Sequence, residues 1–267
     1  MLWNRDRILQ SFKTYTDAYD ASDPKIKLKI DHTYRVASLS KRIATSLNLS
    51  KDDILLAWTC GMLHDIGRFE QVRRYHTFFD AESVDHATFG ADLLFKEGLL
   101  SRFIEPDGEA AESAIDILEK AIRVHSLFRL PELTERELLF ATILRDADKI
   151  DILKVNTQTR PEDVYNVTTE QLKSASVSKE VKEAFDEHHC AKRSDRTSAI
   201  DYLVGHACLV YELVHPISTQ IVFEQGYIYQ LLSYQSENPD TIQWFAHMRE
   251  AMRELELSLH RQTECNQ

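Results

Sequence analysis

Apolar residues recur at intervals of three and four along most of the chain, which is the spacing of one face of an α-helix. The clearest stripe, between residues 27 and 47, passes through His32, Val36, Leu39, Ile43 and Leu47. A stripe over residues 86–94 begins at His86, and a third one ends at His125. The pattern therefore places three histidines on the inward faces of three separate helices.

Local signals mark where the other helices begin and end. Residues 1–20 form the first predicted helix, and Ser50 is the predicted N-cap of a strongly apolar helix that ends near Gly67. This interpretation leaves His64 and Asp65 in the last turn of that helix. Residues 68–84 are polar and aromatic, and we predict a loop there.

The second half of the chain is also predicted to be helical. Thr134 and Glu137 form a capping box that opens a helix reaching past residue 148. Beyond Pro161 a polar segment, residues 162–195, precedes predicted helices over residues 197–214, 216–233 and 239–260. Within the segment, His188-His189-Cys190 is interpreted as a polar loop.

The scarcity of turn-forming residues supports an all-α fold. The 267 residues include only seven glycines and six prolines, which disfavours the many tight turns of an all-β chain. We predict a helical domain over residues 1–160, with its core at 25–155. Residues 161–267 are predicted to form a C-terminal helical extension packed on it as one structural unit.

Charge and cysteine content restrict the function. A net charge of −11 disfavours general nucleic-acid binding, because such a surface repels phosphate backbones. The four cysteines form no Cys-x-x-Cys pair, and scattered thiols are typical of a reducing compartment. No signal peptide or membrane-spanning stretch is evident, so we expect a cytoplasmic protein without membrane contacts.

A histidine followed by an aspartate, His64-Asp65, offers two metal ligands side by side. This pair and the three inward-facing histidines would together bury several titratable groups. Without partners their burial would be costly, whereas a metal ion would satisfy them. A later helix supplies a further carboxylate, Asp146 or Asp148. These two point about 200° apart on a helix, so only one faces the metal, and the apolar pattern does not choose between them.

Three short motifs resemble the HD-domain superfamily of metal-dependent phosphohydrolases. His32-Thr33-Tyr34-Arg35-Val36-Ala37 is similar to the opening H-x-x-R-V-A element, and residues 62–68 (MLHDIGR) are similar to the central L-L-H-D-I-G element. Residues 147–150 (ADKI) are similar to the closing element. The resemblance covers residues 25–155 and implies an HD-like helical bundle with the ligands His32, His64, Asp65 and Asp148.

The segments around His86 and His125 resemble the extra histidines of superfamily branches that hold two metal ions. These branches include cyclic-dinucleotide phosphodiesterases, dinucleoside tetraphosphate hydrolases and di-iron oxygenases. The elements that define HD-GYP enzymes are absent, since Ser126-Leu127 follows His125. The resemblance thus implies a six-ligand site of one or two divalent ions (Mn, Fe, Co, Ni or Zn), with Asp65 as a catalytic, bridging ligand.

The implied reaction is hydrolysis of a phosphoester or phosphoanhydride of a nucleotide or small phosphorylated metabolite by a metal-activated hydroxide. Charge developing on the phosphoryl oxygens needs cationic donors. Arg68 and Lys149 are the predicted catalytic and substrate-binding cations, and Arg35 is a further substrate-binding candidate. The alternatives are a di-iron HD-type oxygenase and a non-catalytic ligand-binding or scaffold protein.

Overall fold

The computed structural model describes residues 3–20, 22–105, 108–160 and 167–265, and these residues contain helices and no strand. This confirms the all-α prediction. The chain divides into two compact units, Met1–Asp148 and Lys149–Gln267. The division after residue 160 that the sequence suggested stays a prediction. The helices of the first unit are α1 (Arg5–Thr16), α2 (Pro24–Ser46), α3 (Lys51–Leu63), α4 (Ile66–Tyr75), α5 (His86–Ala91), α6 (Glu109–Val124) and the beginning of α7 (Glu135–Gln158).

Side-chain caps fix where these helices begin. Asp23 accepts a hydrogen bond from the Lys25 amide at 2.8 Å, with Pro24 in the first helical turn of α2. Ser50 accepts one from the Asp53 amide at 3.1 Å, which confirms the predicted N-cap of α3. The predicted capping box is also confirmed, because Thr134 N donates to Glu137 Oε2 at 2.8 Å.

Glycines allow the helices that carry the ligands to approach closely. A Cβ atom on Gly61 would lie 2.6 Å from Ala37 Cα, so α2 and α3 touch backbone to backbone. One on Gly67 would lie 2.7 Å from Gly90 N and 2.8 Å from His86 O, where α4 crosses α5. These two contacts bring His64 and Asp65 close to the helices of His32 and His86.

The region around His64 differs from the sequence prediction in two respects. Helix α3 ends at Leu63, and Asp65 stands at the N-cap position of α4 rather than in a last turn. The predicted loop 68–84 is wrong over its first half, because α4 continues to Tyr75. Its buried residues, including Phe69 and Val72, form an inward stripe that the surrounding polar residues hid in the sequence.

The second unit is helical as well. Its helices are the end of α7, α8 (Thr169–Ser174), α9 (Lys179–Asp186), α10 (Asp201–Ala207), α11 (Pro216–Gln225), α12 (Tyr227–Leu231) and α13 (Pro239–Cys265). Two of the three long helices predicted here are interrupted: a 3-10 turn follows α10, and Gly226, with a φ of 69°, separates α11 from α12. The third, predicted over residues 239–260, is continuous as α13. The buried Asp201 carboxylate accepts hydrogen bonds from the amides of Ser178, Thr197 and Ser198 at 2.8–2.9 Å, which fastens two loops to α10. Of the predicted polar segment 162–195, residues 162–166 lie outside the described residues.

Candidate metal centre

Six side chains that the sequence singled out as ligands converge inside the first unit. They are His32, His64, Asp65, His86, His125 and Asp148. All are buried except Asp148, which is half-buried. The donor atoms of His32, His64 and Asp148 lie within 4.8 Å of one another, as do those of His64, Asp65 and His125. Either set could hold a metal ion.

The four imidazoles form two pairs whose Nε2 atoms face each other. His32 Nε2 lies 3.3 Å from His64 Nε2, and His86 Nε2 lies 3.1 Å from His125 Nε2. Two nitrogens bound to one ion at about 2.0–2.1 Å, with tetrahedral or right-angled geometry, are roughly 2.9–3.4 Å apart. Each pair therefore already has the spacing of two ligands on one ion.

Backbone carbonyls fix the orientation of two of these rings. His64 Nδ1 lies 2.9 Å from Gly61 O, and His125 Nδ1 lies 2.7 Å from Ile122 O. Since a carbonyl only accepts, Nδ1 carries the proton in each ring. The Nε2 lone pair of each ring then points toward the cluster, as a metal ligand requires.

The Asp65 carboxylate lies between the two imidazole pairs. Its Oδ2 is 3.5 Å from His32 Nε2 and 3.5 Å from His64 Nε2, whereas its Oδ1 is 3.6 Å from His86 Nε2. Each oxygen thus faces a different pair. A carboxylate placed in this way could contribute an oxygen to a metal ion held by either pair.

The carboxylates of the cluster are held in the charged form. Burial would raise the pKa of the Asp65 carboxyl, but the Lys29 ammonium and the His64 ring hold it well below its usual range. Burial would likewise raise the pKa of Asp148, and its hydrogen bond and charge interaction with His32 lower it instead. Both groups are therefore available as anionic ligands at neutral pH.

Two of the imidazoles are held in the neutral form. Burial, together with the neighbouring rings of His86 and His64, lowers the pKa of His125 to about 3. Burial also lowers the pKa of His86, together with the positive charge of Arg68. Neutral imidazole is the form that binds a metal ion, so these two rings need lose no proton on coordination.

The structure distinguishes the two candidate aspartates of α7. Asp148 Oδ1 lies 3.2 Å from His32 Nε2 and 3.9 Å from His64 Nε2. Asp146 is fully buried on the same helix, two residues away and hence on a different face. The cluster of His32 and His64 therefore includes Asp148, the residue that the Ala-Asp-Lys context favoured.

Two cations reach the Asp65 carboxylate. Lys29 Nζ donates to Asp65 Oδ2 at 2.5 Å, and Arg68 Nε lies 3.7 Å from Asp65 Oδ1. Both cations also lie against the Phe78 ring, at 5.6 and 5.8 Å from its centroid. Lys29 was not identified in the sequence, although it precedes His32 by three residues and so shares its helix face.

The Arg68 guanidinium is largely engaged within the protein. Its Nη1 donates to Asp80 Oδ1 at 2.7 Å, to Phe78 O at 2.7 Å and to Gln71 Oε1 at 2.8 Å. The Arg68 side chain is only 13% exposed. Its position beside Asp65 agrees with a site role, and its contacts show that it also holds the segment after α4.

The two remaining predicted cations lie in different places. Arg35 is half-buried in α2, one turn beyond His32. Lys149 is the first residue of the second unit, and its Nζ donates to Glu212 O at 3.2 Å. Their assignment to substrate stays a prediction.

Two further residues that the sequence analysis did not assign support the ligands. Asp80 Oδ2 lies 2.7 Å from His86 Nδ1. The Arg145 Nη1 donates to the carbonyls of His125 and Leu127 at 2.9 and 2.6 Å, which secures the C-terminal end of α6. Arg145 precedes Asp148 by three residues on α7, a spacing that could have identified it, whereas Asp80 begins a three-residue 3-10 turn that is too short to give a periodic signal.

The described helices of the first unit thus bury a cluster of histidine and aspartate side chains that could hold a metal ion. Residues 30–153 match the HD domain family, and this segment belongs to the HD-domain superfamily. A comparison with curated proteins and with solved structures gave no further match. In the part of the chain that the structure describes, no helix has both the length and the apolar character needed to cross a membrane.

Proposed function

We propose that this protein is a metal-dependent phosphohydrolase with a two-ion centre, acting on a phosphoester or phosphoanhydride of a nucleotide or small phosphorylated metabolite. The observation that carries the proposal is the position of Asp65, whose two oxygens face two different imidazole pairs. His32, His64 and Asp148 would hold one ion, and His86 and His125 would hold the other. When bound, such ions lower the pKa of water and act as Lewis acids toward phosphoryl oxygens.

The charges of the cluster favour an anionic substrate. Two divalent ions would exceed the negative charge of the Asp65 and Asp148 carboxylates, which leaves a local positive centre in an acidic chain. Lys29 adds a cation at the edge of this centre, with its side chain 15% exposed. We propose that Lys29 and Arg68 orient the phosphoryl group and stabilise the charge that develops on its oxygens.

The proposal is tested with full-length protein stripped by a chelator and reloaded separately with Mn²⁺, Fe²⁺, Co²⁺, Ni²⁺ or Zn²⁺. Each sample is assayed for phosphate or nucleotide release from a panel of nucleotides, dinucleotides and phosphomonoesters. We expect release with at least one metal, and its loss in Asp65→Asn. The matched control is Asp31→Asn, which alters an exposed carboxylate that pairs with Lys27 at 2.7 Å.

Two results would contradict the proposal. One is a sample with bound metal that leaves the whole panel intact. The other is an iron-loaded sample that consumes oxygen in the presence of an organic substrate and releases no phosphate, since that result would favour the oxygenase chemistry.

A further inference from the structure

The hydrogen-bond partner of His86 differs in kind from those of His64 and His125. His86 Nδ1 lies 2.7 Å from Asp80 Oδ2, whereas the other two rings donate to backbone carbonyls of their own chain segment. A carboxylate makes the opposite ring nitrogen more basic and fixes the ring orientation. His86 is therefore oriented by a charged residue that lies before its own helix.

Asp80 is itself held firmly. Its second oxygen, Oδ1, accepts hydrogen bonds from Arg68 Nη1 at 2.7 Å and from Gln71 Nε2 at 3.0 Å. Gln71 also donates to Ser83 Oγ at 2.8 Å. The two oxygens of Asp80 thus have separate partners: Oδ1 accepts hydrogen bonds from two side chains of helix α4, and Oδ2 accepts one from His86 Nδ1.

We propose that Asp80 is a positioning residue for the second metal position, the one formed by His86, His125 and Asp65. Its carboxylate sets the affinity of that position through His86. The first position, formed by His32, His64 and Asp148, is oriented by other contacts. This inference rests on the proposed two-ion function.

A competing interpretation makes Asp80 a metal ligand. Oxygens of Asp80 and Asp85 and a ring nitrogen of His86 lie within 4.8 Å of one another. However, both Asp80 oxygens already accept hydrogen bonds, and Asp85 accepts one from the Thr88 amide at 2.8 Å as the N-cap of α5. These contacts favour the positioning role.

The test uses full-length protein stripped of metal and titrated with Mn²⁺ by calorimetry and electron paramagnetic resonance. Wild type is expected to bind two ions and to give the spectrum of a spin-coupled pair. In Asp80→Ala, the affinity of one position should fall about 10- to 100-fold, and the spectrum should change to that of an isolated ion. Asp80→Asn keeps an oxygen that accepts from Nδ1, so it should recover part of the affinity.

Asp85→Asn is the matched control. Asparagine is as good an N-cap as aspartate, so both affinities should stay at the wild-type values. If Asp85→Asn weakens binding as much as Asp80→Asn does, Asp80 belongs to an acidic metal site and the proposal is wrong. Equal weakening of both positions in Asp80→Ala, or no weakening, would also overturn it. If circular dichroism shows that Asp80→Ala is unfolded, the metal affinities of Asp80→Asn decide the question.

The result separates this inference from the proposed function. A wild-type protein that binds two ions, loses one in Asp80→Ala and hydrolyses no phosphate compound would overturn the function alone. A wild-type protein that hydrolyses its substrate with a single bound ion would overturn the role of Asp80 at a second position and keep the hydrolase.

Discussion

The ammonium of Lys29 donates to the Asp65 carboxylate at 2.5 Å, on the same oxygen that faces His32 and His64. A cation and two imidazoles thus share one carboxylate oxygen. Because the oxygen is buried, the charge of Lys29 is weakly screened there. We therefore expect Lys29 to affect both the affinity of the proposed centre for metal ions and its interaction with an anionic substrate.

Replacing Lys29 by glutamine should have opposite effects on these two properties. Loss of the ammonium removes a positive charge that repels metal ions, so the Mn²⁺ dissociation constants should decrease several-fold. Loss of a donor to developing phosphoryl charge should lower kcat about 100-fold, as for other single donors. Calorimetry and steady-state kinetics measure the two effects separately. Lys27→Gln, which alters an exposed lysine of the same helix, is the control, and a Lys29→Gln enzyme with wild-type kcat would contradict the prediction.

The crossing of α4 and α5 should tolerate no side chain at Gly67. The Cβ atom of Gly67→Ala would meet the backbone of Gly90 and His86 at 2.7–2.8 Å, and neither group moves without its helix. We expect a loss of about 1–3 kcal/mol in the free energy of unfolding, as for other overpacked sites. Displacement of His86 should also weaken the second metal position, which Mn²⁺ calorimetry measures.

Gly98→Ala separates instability from damage to the site. Gly98 has a φ of 79°, which is strained for alanine, but its Cβ would meet no atom within 4 Å. This variant should lose stability and keep both metal affinities. If Gly67→Ala also keeps both affinities, the helix crossing does not position His86.

Helical periodicity was enough to predict the inward orientation of three candidate ligands. His32, His86 and His125 lie on apolar stripes, and a stripe at 3.6-residue spacing must face the core, so their inward orientation follows from the sequence. The N-cap at Ser50 and the capping box at Thr134 are equally local, because each depends on residues within one turn. The choice of Asp148 required the family motif, because α7 is apolar on several sides.

The supporting contacts could not be predicted in this way. The pair of Lys29 and Asp65 joins residues far apart in the chain, and so does the pair of His86 and His125. Asp80 lies in a three-residue 3-10 turn, which is too short for periodicity to indicate the direction of a side chain. Helix α4 was missed because the polar residues after Asp65 are typical of a loop, although the apolar residues between them face the core.

Substitution of the two α7 aspartates should separate the metal ligand from its buried neighbour. Asp148→Asn removes a charged ligand beside His32, so one Mn²⁺ should be lost or bound at least 10-fold more weakly. Asp146→Asn should lower the unfolding temperature, because Asp146 is fully buried, and should keep the metal stoichiometry. Elemental analysis and thermal unfolding measure the two effects. The opposite pattern would assign the ligand to Asp146.

Acid should destabilise the protein partly through His206 in the second unit. Burial, together with the charge of Arg196, lowers the pKa of His206 to about 3, whereas an unfolded histidine has a pKa of about 6.5. Between these values the unfolded state binds the additional proton, so this contribution to stability is complete above pH 6.5 and is lost as the pH falls toward 3. The free energy of unfolding of His206→Gln, measured with denaturant, should therefore decrease less than that of wild type between pH 6.5 and pH 4. His260→Gln, at an exposed position of α13, should follow wild type, and identical pH profiles for all three proteins would rule out this role of His206.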